Sequence, residues 1–318
     1  MNYFKFILSI LLFIGHYLTM AQQHRVNPFP SEVKRILFIG NSITYAGEYV
    51  TNVEAYFTAR YPAMNVEFIN TGLPSETVSG LSEPGHADGK FPRPDLHERL
   101  ARVLKQTKPD WVFACYGMND GIYMPLDEER FRKFKKGIHW LHDELEKAGV
   151  KKIIHLTPPV FDERKGGHEG YAHVLDTYSD WLLTQRSIAQ WNVVDIHGAM
   201  KTYLENHIEK DSTFALAADG VHPGKTGHWL ISKEILLYLG EKNIAAAESI
   251  TDALSDIPNG DELLKLISQR QLMKKDTWLT STGHLRPGMK TGLPMREAKV
   301  KAKKIQKEIN ALNSNPVK

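Results

Sequence analysis

An α/β fold, with a parallel sheet covered by helices on both faces, is what this sequence predicts, and three observations carry it. Short apolar runs bounded by turn residues recur at 35–39, 66–69, 111–116, 152–156 and 192–196. Amphipathic segments lie between them, so strand and helix alternate along the chain, as they do in parallel sheets with crossover helices. Residues able to do chemistry stand just past the ends of the runs. Ser42 follows the first and Asn119 the third, at the carboxyl edge where such sheets bind ligands.

Taken in order, the elements begin after a leader. Residues 1–21 read as a secretory signal: Lys5 supplies the positive start, an apolar stretch from 6 to 20 is broken only by Ser9, Gly15, His16 and Thr19, and Ala21 offers a small residue before Gln22. That stretch is too short and interrupted to span a hydrocarbon layer of about 30 Å. The expectation is a cleaved signal and a secreted protein, periplasmic if the source is Gram-negative. A catalytic-size domain over 30–240 follows. Within it, Leu96, Leu100, Val103 and Leu104 share one helical face, as do Phe131, Phe134, Ile138, Leu141 and Leu145. After a helix around 229–239 the pattern changes, and 241–318 holds helical stretches without a convincing strand. There Ala298, Ala302, Ile305, Ile309 and Leu312 form an apolar stripe, with Lys299, Lys301, Lys303, Lys304 and Lys307 mostly on other faces. The expectation is a C-terminal helical extension laid on the core.

Composition narrows the function. The 318 residues, 42% hydrophobic and 24% charged, suit one or two globular domains. Net charge is +3, and loss of Lys5 with the leader gives 3 − 1 = +2, which predicts neither nucleic-acid nor membrane-surface binding. The single cysteine, Cys115, sits inside an apolar run and reads as an inert core residue. Export is therefore not being used for disulfides, and no cysteine stands near the cleavage site to take a lipid.

The candidate chemistry lies in four short segments. Ser42, in Gly40-Asn41-Ser42, stands where a strand stops. Read alone, it would cap the next helix; read as chemistry, it is a nucleophile at the ligand-binding edge. Asp219 and His222, in Asp219-Gly220-Val221-His222-Pro223, are spaced so that the carboxylate can hold one imidazole nitrogen and leave the other for a serine. Gly220 permits unusual backbone angles there. Gly72, just after the second run, allows a backbone N–H to approach closely, and the Asn119 amide after the third offers a second donor for an oxyanion. A metal site would need further ligands, and no His-Glu-x-x-His or cysteine cluster supplies them. No cofactor is expected.

These four segments, in this order, resemble the SGNH (GDSL-type) hydrolase superfamily over roughly residues 33–240. Gly40-Asn41-Ser42 matches its first block, with Asn41 where aspartate is commoner. Gly72 matches the second, Gly117-Met118-Asn119-Asp120 the third, and Asp219-Gly220-Val221-His222-Pro223 the fifth. The resemblance implies a three-layer flavodoxin-like fold with a five-stranded parallel sheet. It makes Ser42 the nucleophile, His222 the base and Asp219 its partner, with an oxyanion hole from the Ser42 and Gly72 N–H groups and the Asn119 amide. The expected activity is hydrolysis of small acyl esters, acetyl groups on carbohydrate above all. Lipase or thioesterase action and a non-catalytic carbohydrate-binding role are the alternatives. Two stretches stand ready to shape a pocket or to be plain surface loops. One is the Gly/Pro-rich connection 76–94, with His86, Asp88 and Arg93; the other is Gly283 to Gly288, with His284 and Arg286.

Overall fold

The computed structural model describes residues 28–314. The signal expected at 1–21 lies outside them, as do the last four residues of the extension. From Ser31 onward the chain forms one compact unit. Its centre is a sheet of five parallel strands: β1 (Arg35–Gly40), β2 (Glu67–Asn70), β3 (Trp111–Cys115), β4 (Lys152–Leu156) and β5 (Asn192–Val194), in the order β2-β1-β3-β4-β5. β1 lies between β2 and β3, with Phe38 beside Asn70 on one side and Phe113 on the other. The side chains of β1 beyond Arg35 and all of those of β3 are buried, which is why these runs are continuously apolar rather than alternating.

Among the described residues the α-helices longer than a single turn are α1 (Ser42–Ala46), α2 (Glu48–Arg60), α3 (Leu100–Thr107), α4 (Glu128–Lys147), α5 (Tyr171–Ile188), α6 (Ile196–Ile208), α7 (Lys225–Tyr238), α8 (Gly260–Thr282) and α9 (Met295–Ser314). The expected apolar faces are the buried ones. Phe134, Ile138, Leu141 and Leu145 of α4 are enclosed, and Phe134 stacks on Tyr178 of α5 with ring centroids 4.1 Å apart. α2 packs instead with α7 and α8. Two boundaries differ from the periodic reading. Leu96 belongs to a separate 3₁₀ turn, Leu96–Glu98, capped by Asp95, and not to α3. β5 stops at Val194 because Asp195 turns the chain and caps α6, its carboxylate accepting from the Gly198 N–H.

The C-terminal region is helical. α8 runs against α2 and the edge strand β2, and buried polar contacts fix it there. Glu54 of α2 accepts from Arg270 at 2.9 Å and from the Gln271 amide, which also donates to the Phe68 carbonyl of β2 at 3.1 Å. On α9, Ala298 and Ile309 are buried and Ala302, Ile305 and Leu312 half-buried, while the five lysines are exposed, as the stripe predicts. Among the described residues no helix is long and apolar enough to cross a membrane. Cys115 is enclosed, and burial pushes its thiol up to about 12, so it carries no reactive thiolate.

Candidate active site

The site is assembled from the carboxyl ends of β1, β2 and β3 and the turn before α7. At the end of β1 the bland reading of Ser42 as a helix cap fails, because Asn41 does that work. Its side-chain oxygen accepts from the Ile43 N–H at 3.1 Å, and Ser42 is the first residue of α1. The substitution of asparagine for aspartate at this position therefore keeps the cap and drops only the charge. The Ser42 hydroxyl is left free to face His222.

Three side chains form a continuous line. Asp219 is an acceptor only, so the His222 Nδ1–H donates to its Oδ2 at 2.6 Å, and Nε2 accepts the Ser42 hydroxyl at 2.9 Å. The turn that presents them is held by Asp219 Oδ1, which accepts from the Val221 and His222 N–H groups at 2.9 and 2.8 Å. It passes through Gly220 at φ +78, hard against the Gly166 and Asp162 backbone, where a side chain has neither the angle nor the space. Burial acts to raise the Asp219 carboxyl, but the His222 N–H, the His222 ring and the Val221 N–H outweigh it and hold it near 2. Asp219 is thus ionised throughout the neutral range. The His222 and Asp219 side chains are about half exposed, at 52% and 56%, so the line opens to solvent.

Gly72 and Asn119 flank the serine differently. Gly72 packs so closely on α1 that a Cβ there would lie 2.3 Å from the Tyr45 nitrogen. The agent of that contact is Asn70, which the sequence reading passed over. Asn70 donates to the Thr44 carbonyl at 2.6 Å and accepts the Gly72 N–H at 2.9 Å, tying β2 to α1. The Gly72 N–H is therefore already engaged, whereas the Ser42 N–H has no acceptor among the described residues. Asn119 is buried and held from both ends. Its amide donates one hydrogen to the Glu76 carbonyl at 3.1 Å, leaving the second, and its oxygen accepts the Tyr123 hydroxyl at 3.2 Å.

Behind Asn119 lies a network that no motif announces. Glu76 and Arg99 are fully enclosed and form a two-pronged ion pair at 2.6 and 2.7 Å, joined by the Tyr116 hydroxyl at 2.6 Å. Asp120, also enclosed, accepts from the Val78, Ser79 and Gly117 N–H groups, so the residue next to Asn119 pins the long 76–94 connection to the β3 turn. Ile122 and Tyr123 both have positive φ, at 48 and 55, a strained pair that aims Tyr123 back at Asn119. Of the two candidate pocket loops, Arg93 stacks over Tyr123 with its carbon 5.2 Å from the ring centre, and Arg286 stacks over Phe91 at 5.3 Å. Asp88 is exposed and pairs with Lys90. Among the described residues no group of three or more His, Cys, Asp and Glu side chains is arranged to hold a metal ion.

A sequence profile of the GDSL-like lipase/acylhydrolase family matches residues 38–230, more than half of the chain. The protein belongs to that family. It is a carboxylic ester hydrolase of the SGNH type, and its five-stranded parallel sheet with flanking helices is the fold of that superfamily. An acetylxylan esterase of Geobacillus stearothermophilus is 26% identical over 232 residues, covering 65% of this chain and 94% of the relative. The crystal structure of an acetylxylan esterase from the same organism superposes with a TM-score of 0.52 at 24% identity, over 68% of this chain and 97% of the other. An alpha/beta hydrolase from the metagenome of Lake Arreo, Spain, gives 0.53 at 25% identity, over 68% and 99%. A gut microbial diltiazem-metabolizing enzyme gives 0.55 at 20% identity, over 68% of this chain; this chain spans about half the length of that protein, 48%. The match to the family ends at 230, so α8 and α9 lie beyond it.

Proposed function

We propose that the protein is an exported serine esterase that removes small acyl groups, acetyl foremost, from carbohydrate. The observation that carries this reading is the solvent-open line Asp219–His222–Ser42 at the carboxyl edge of the sheet. Ser42 Oγ attacks the ester carbonyl as His222 Nε2 takes its proton. Asp219 holds the ring and offsets the charge it gains. Negative charge builds on the carbonyl oxygen between the Ser42 N–H and the second hydrogen of the Asn119 amide. The Gly72 N–H joins them by exchanging its bond to the Asn70 side chain for the stronger, charged acceptor. His222 returns the proton to the departing sugar oxygen, leaving an acyl group on Ser42. Water, deprotonated by the same imidazole, then releases the acid. Every step uses side chains and backbone N–H groups of this chain and one water.

An acetyl group on carbohydrate is favoured by the likeness to an acetylxylan esterase over most of that relative's length. It is favoured also by the polar character of the connections around Asn119, where Arg93, Glu83 and His86 stand in place of an apolar tunnel. Residues 1–21 supply the export signal. The test is a panel of acetyl, butyryl and octanoyl esters alongside acetylated oligosaccharides. Each methylene buried in an acyl tunnel contributes about 0.8 kcal/mol, so a lipase gains about fourfold per carbon. The expected result is the reverse, with kcat/KM falling as the chain lengthens and acetate released from the glycan. An optimum at octanoyl without acetate release from any glycan moves the assignment to lipid esters.

A further inference from the structure

A cavity of about 390 Å³ lies between the starts of α2 and α7, the first half of α8 and the segment 248–251. Its volume falls within the range of ordinary small-ligand sites. Each helix gives it one face. On α2 that face is Glu48, Thr51 and Asn52, at the i, i+3, i+4 spacing; on α8 it runs from Asp261 to Ser268. Eight of the fourteen lining residues lie beyond residue 230, where the match to the family ends. The cavity is therefore a feature of this chain with its extension, and not of the shared fold.

The walls start where the catalytic residues stand. α2 begins at Glu48, six residues after Ser42, and α7 begins at Lys225, three residues after His222. The two helices run side by side in the same direction from that edge, with Tyr49 against His228 and Asn52 against Ser232. Lys225 lies close enough to Glu48 for its charge to act on that carboxyl. In the reaction above, His222 hands its proton to the departing sugar oxygen, so the sugar stands on the His222 side of the serine, where α7 begins.

The lining suits polar, uncharged groups. Thr51 is 8% exposed and Asn52 4%. The Asn52 amide nitrogen donates to Ser232 Oγ at 3.3 Å, but neither Asn52 Oδ1 nor the Thr51 hydroxyl has a partner among the described residues. Both oxygens keep some open surface, and the cavity is what they open onto. Polar groups this buried are ordinarily paired, so two neighbours left open on one wall mark a place for a ligand's hydroxyls. Thr226, Thr251 and Ser268 add hydroxyls that both donate and accept, as a sugar hydroxyl does, while Trp229 and Leu264 supply an apolar wall. Charge disfavours an anion. Three carboxylates, Glu48, Glu248 and Asp261, stand against the ammonium groups of Lys225 and Lys265, and Lys265 is paired with Glu262.

We propose that this cavity is a subsite for the sugars next to the acetylated one, and that the favoured substrate is a neutral oligosaccharide of several units. This rests on the esterase reading above. Thr51, Asn52 and Glu48 take hydroxyls of the neighbouring sugars, and the extension closes the opposite wall through Thr251 and Ser268.

The experiment compares acetate release from acetylated xylo- and manno-oligosaccharides of two and of four sugars. Two or more neutral hydrogen bonds made only by the longer chain predict a gain of about tenfold or more in kcat/KM. Thr51→Val keeps the shape, removes the hydroxyl and lowers that gain about fivefold. Ser268→Tyr fills the cavity from the α8 side and abolishes it. Equal rates for two and four sugars in both series, or a gain undiminished in folded Ser268→Tyr, overturn the subsite; if Ser268→Tyr does not fold, an undiminished gain in Thr51→Val does so. A larger gain with acetylated oligogalacturonides of the same lengths overturns its assignment to neutral sugars. Calorimetry of unacetylated xylo- and mannotetraose with Ser42→Ala protein, alone and combined with Thr51→Val, keeps binding apart from catalysis. Failure to hydrolyse any acetyl ester sinks the esterase reading, while the calorimetry still decides whether the cavity takes sugar: binding weakened by Thr51→Val supports it, and no binding of either tetrasaccharide overturns it.

Discussion

Two histidine–aspartate pairs stand at the carboxyl edge of this sheet, and they differ in where the second ring nitrogen goes. His222 gives Nδ1 to Asp219 and turns Nε2 to the Ser42 hydroxyl, with half of the side chain in solvent. His197, at the start of α6, gives Nε2 to Asp176 at 2.8 Å and has Nδ1 against the Pro158 carbonyl at 3.0 Å. Its side chain is 7% exposed, and Lys201 shares the carboxylate. Since Nδ1 can meet a carbonyl only as a donor, both nitrogens of His197 face oxygen atoms inside the fold, and neither is turned to a hydroxyl or to solvent. A carboxylate beside an imidazole is thus common to a structural clamp and to a proposed general base. What separates them is a hydroxyl on the far nitrogen and an open path to it.

The sharpest way to break this comparison is to remove each ring. His222→Ala or Ser42→Ala is expected to lower kcat on p-nitrophenyl acetate by about 10⁴–10⁶, the loss seen when a nucleophile or its base is removed from such a line. His197→Ala should instead leave kcat nearly intact and cost about 1–3 kcal/mol of stability, because it leaves the Pro158 carbonyl without its donor and Asp176 with Lys201 alone. Steady-state kinetics and urea denaturation on the same preparations read both quantities. Equal kinetic damage from the two alanines would mean that position at the sheet edge, and not the free nitrogen, makes the base.

Much of this was legible in the sequence because the signals are local. Asp219 and His222 are three residues apart, and Ser42 closes an apolar run, so their partnership follows from short spacing and strand-end placement. The five strands follow from continuous apolar runs, and the lysine-flanked stripe of α9 from its period. Contacts between side chains from different loops leave no such trace. Glu76, Arg99 and Tyr116 meet only once the 76–94 connection folds over β3, and no periodicity marks them. Asn41 as the cap in place of Ser42 could be told only by geometry, since both residue types cap helices equally well. Asn70, two residues before the recognised Gly72, was within reach: asparagine before a turn commonly bonds the N–H two residues on.

A second, smaller effect sharpens the contrast on the oxyanion side. Asn119→Ala should lower kcat by about 10²–10³, or roughly 2.7–4 kcal/mol, with KM little changed. Tyr123→Phe removes only the hydroxyl that orients the Asn119 amide, and is expected to cost kcat about five- to tenfold, near the worth of one neutral hydrogen bond. If Tyr123→Phe raised KM and left kcat alone, Tyr123 would be a substrate-contacting group and not a positioning one. The order Asn119 above Tyr123, read from kcat, is the discriminating result.

The smallest effect per pH unit concerns histidines with no carboxylate at all. Burial, with the nearby charges of His142 and His139, pushes His155 down to about 3; burial, with the charge of His222, pushes His228 down to about 4. In the unfolded chain both take a proton near the usual value of about 6.5. Between that value and the folded one, the unfolded state binds more protons, so stability falls as pH falls, by up to about 1.4 kcal/mol per unit for each ring. Asp219 works in a different window. Its carboxyl is lowered on folding, so its contribution is complete above the unfolded value near 3.9 and is lost only as pH drops towards 2. Urea denaturation between pH 7 and about 4.5 therefore isolates the histidines from Asp219. His228→Phe, which keeps a ring against Tyr49, should flatten the slope there by about its one-proton share, and Asp219→Asn should leave it as it is. An unchanged slope in His228→Phe would show that this ring takes its proton in the folded state, and that being enclosed without a carboxylate is not enough to keep an imidazole neutral.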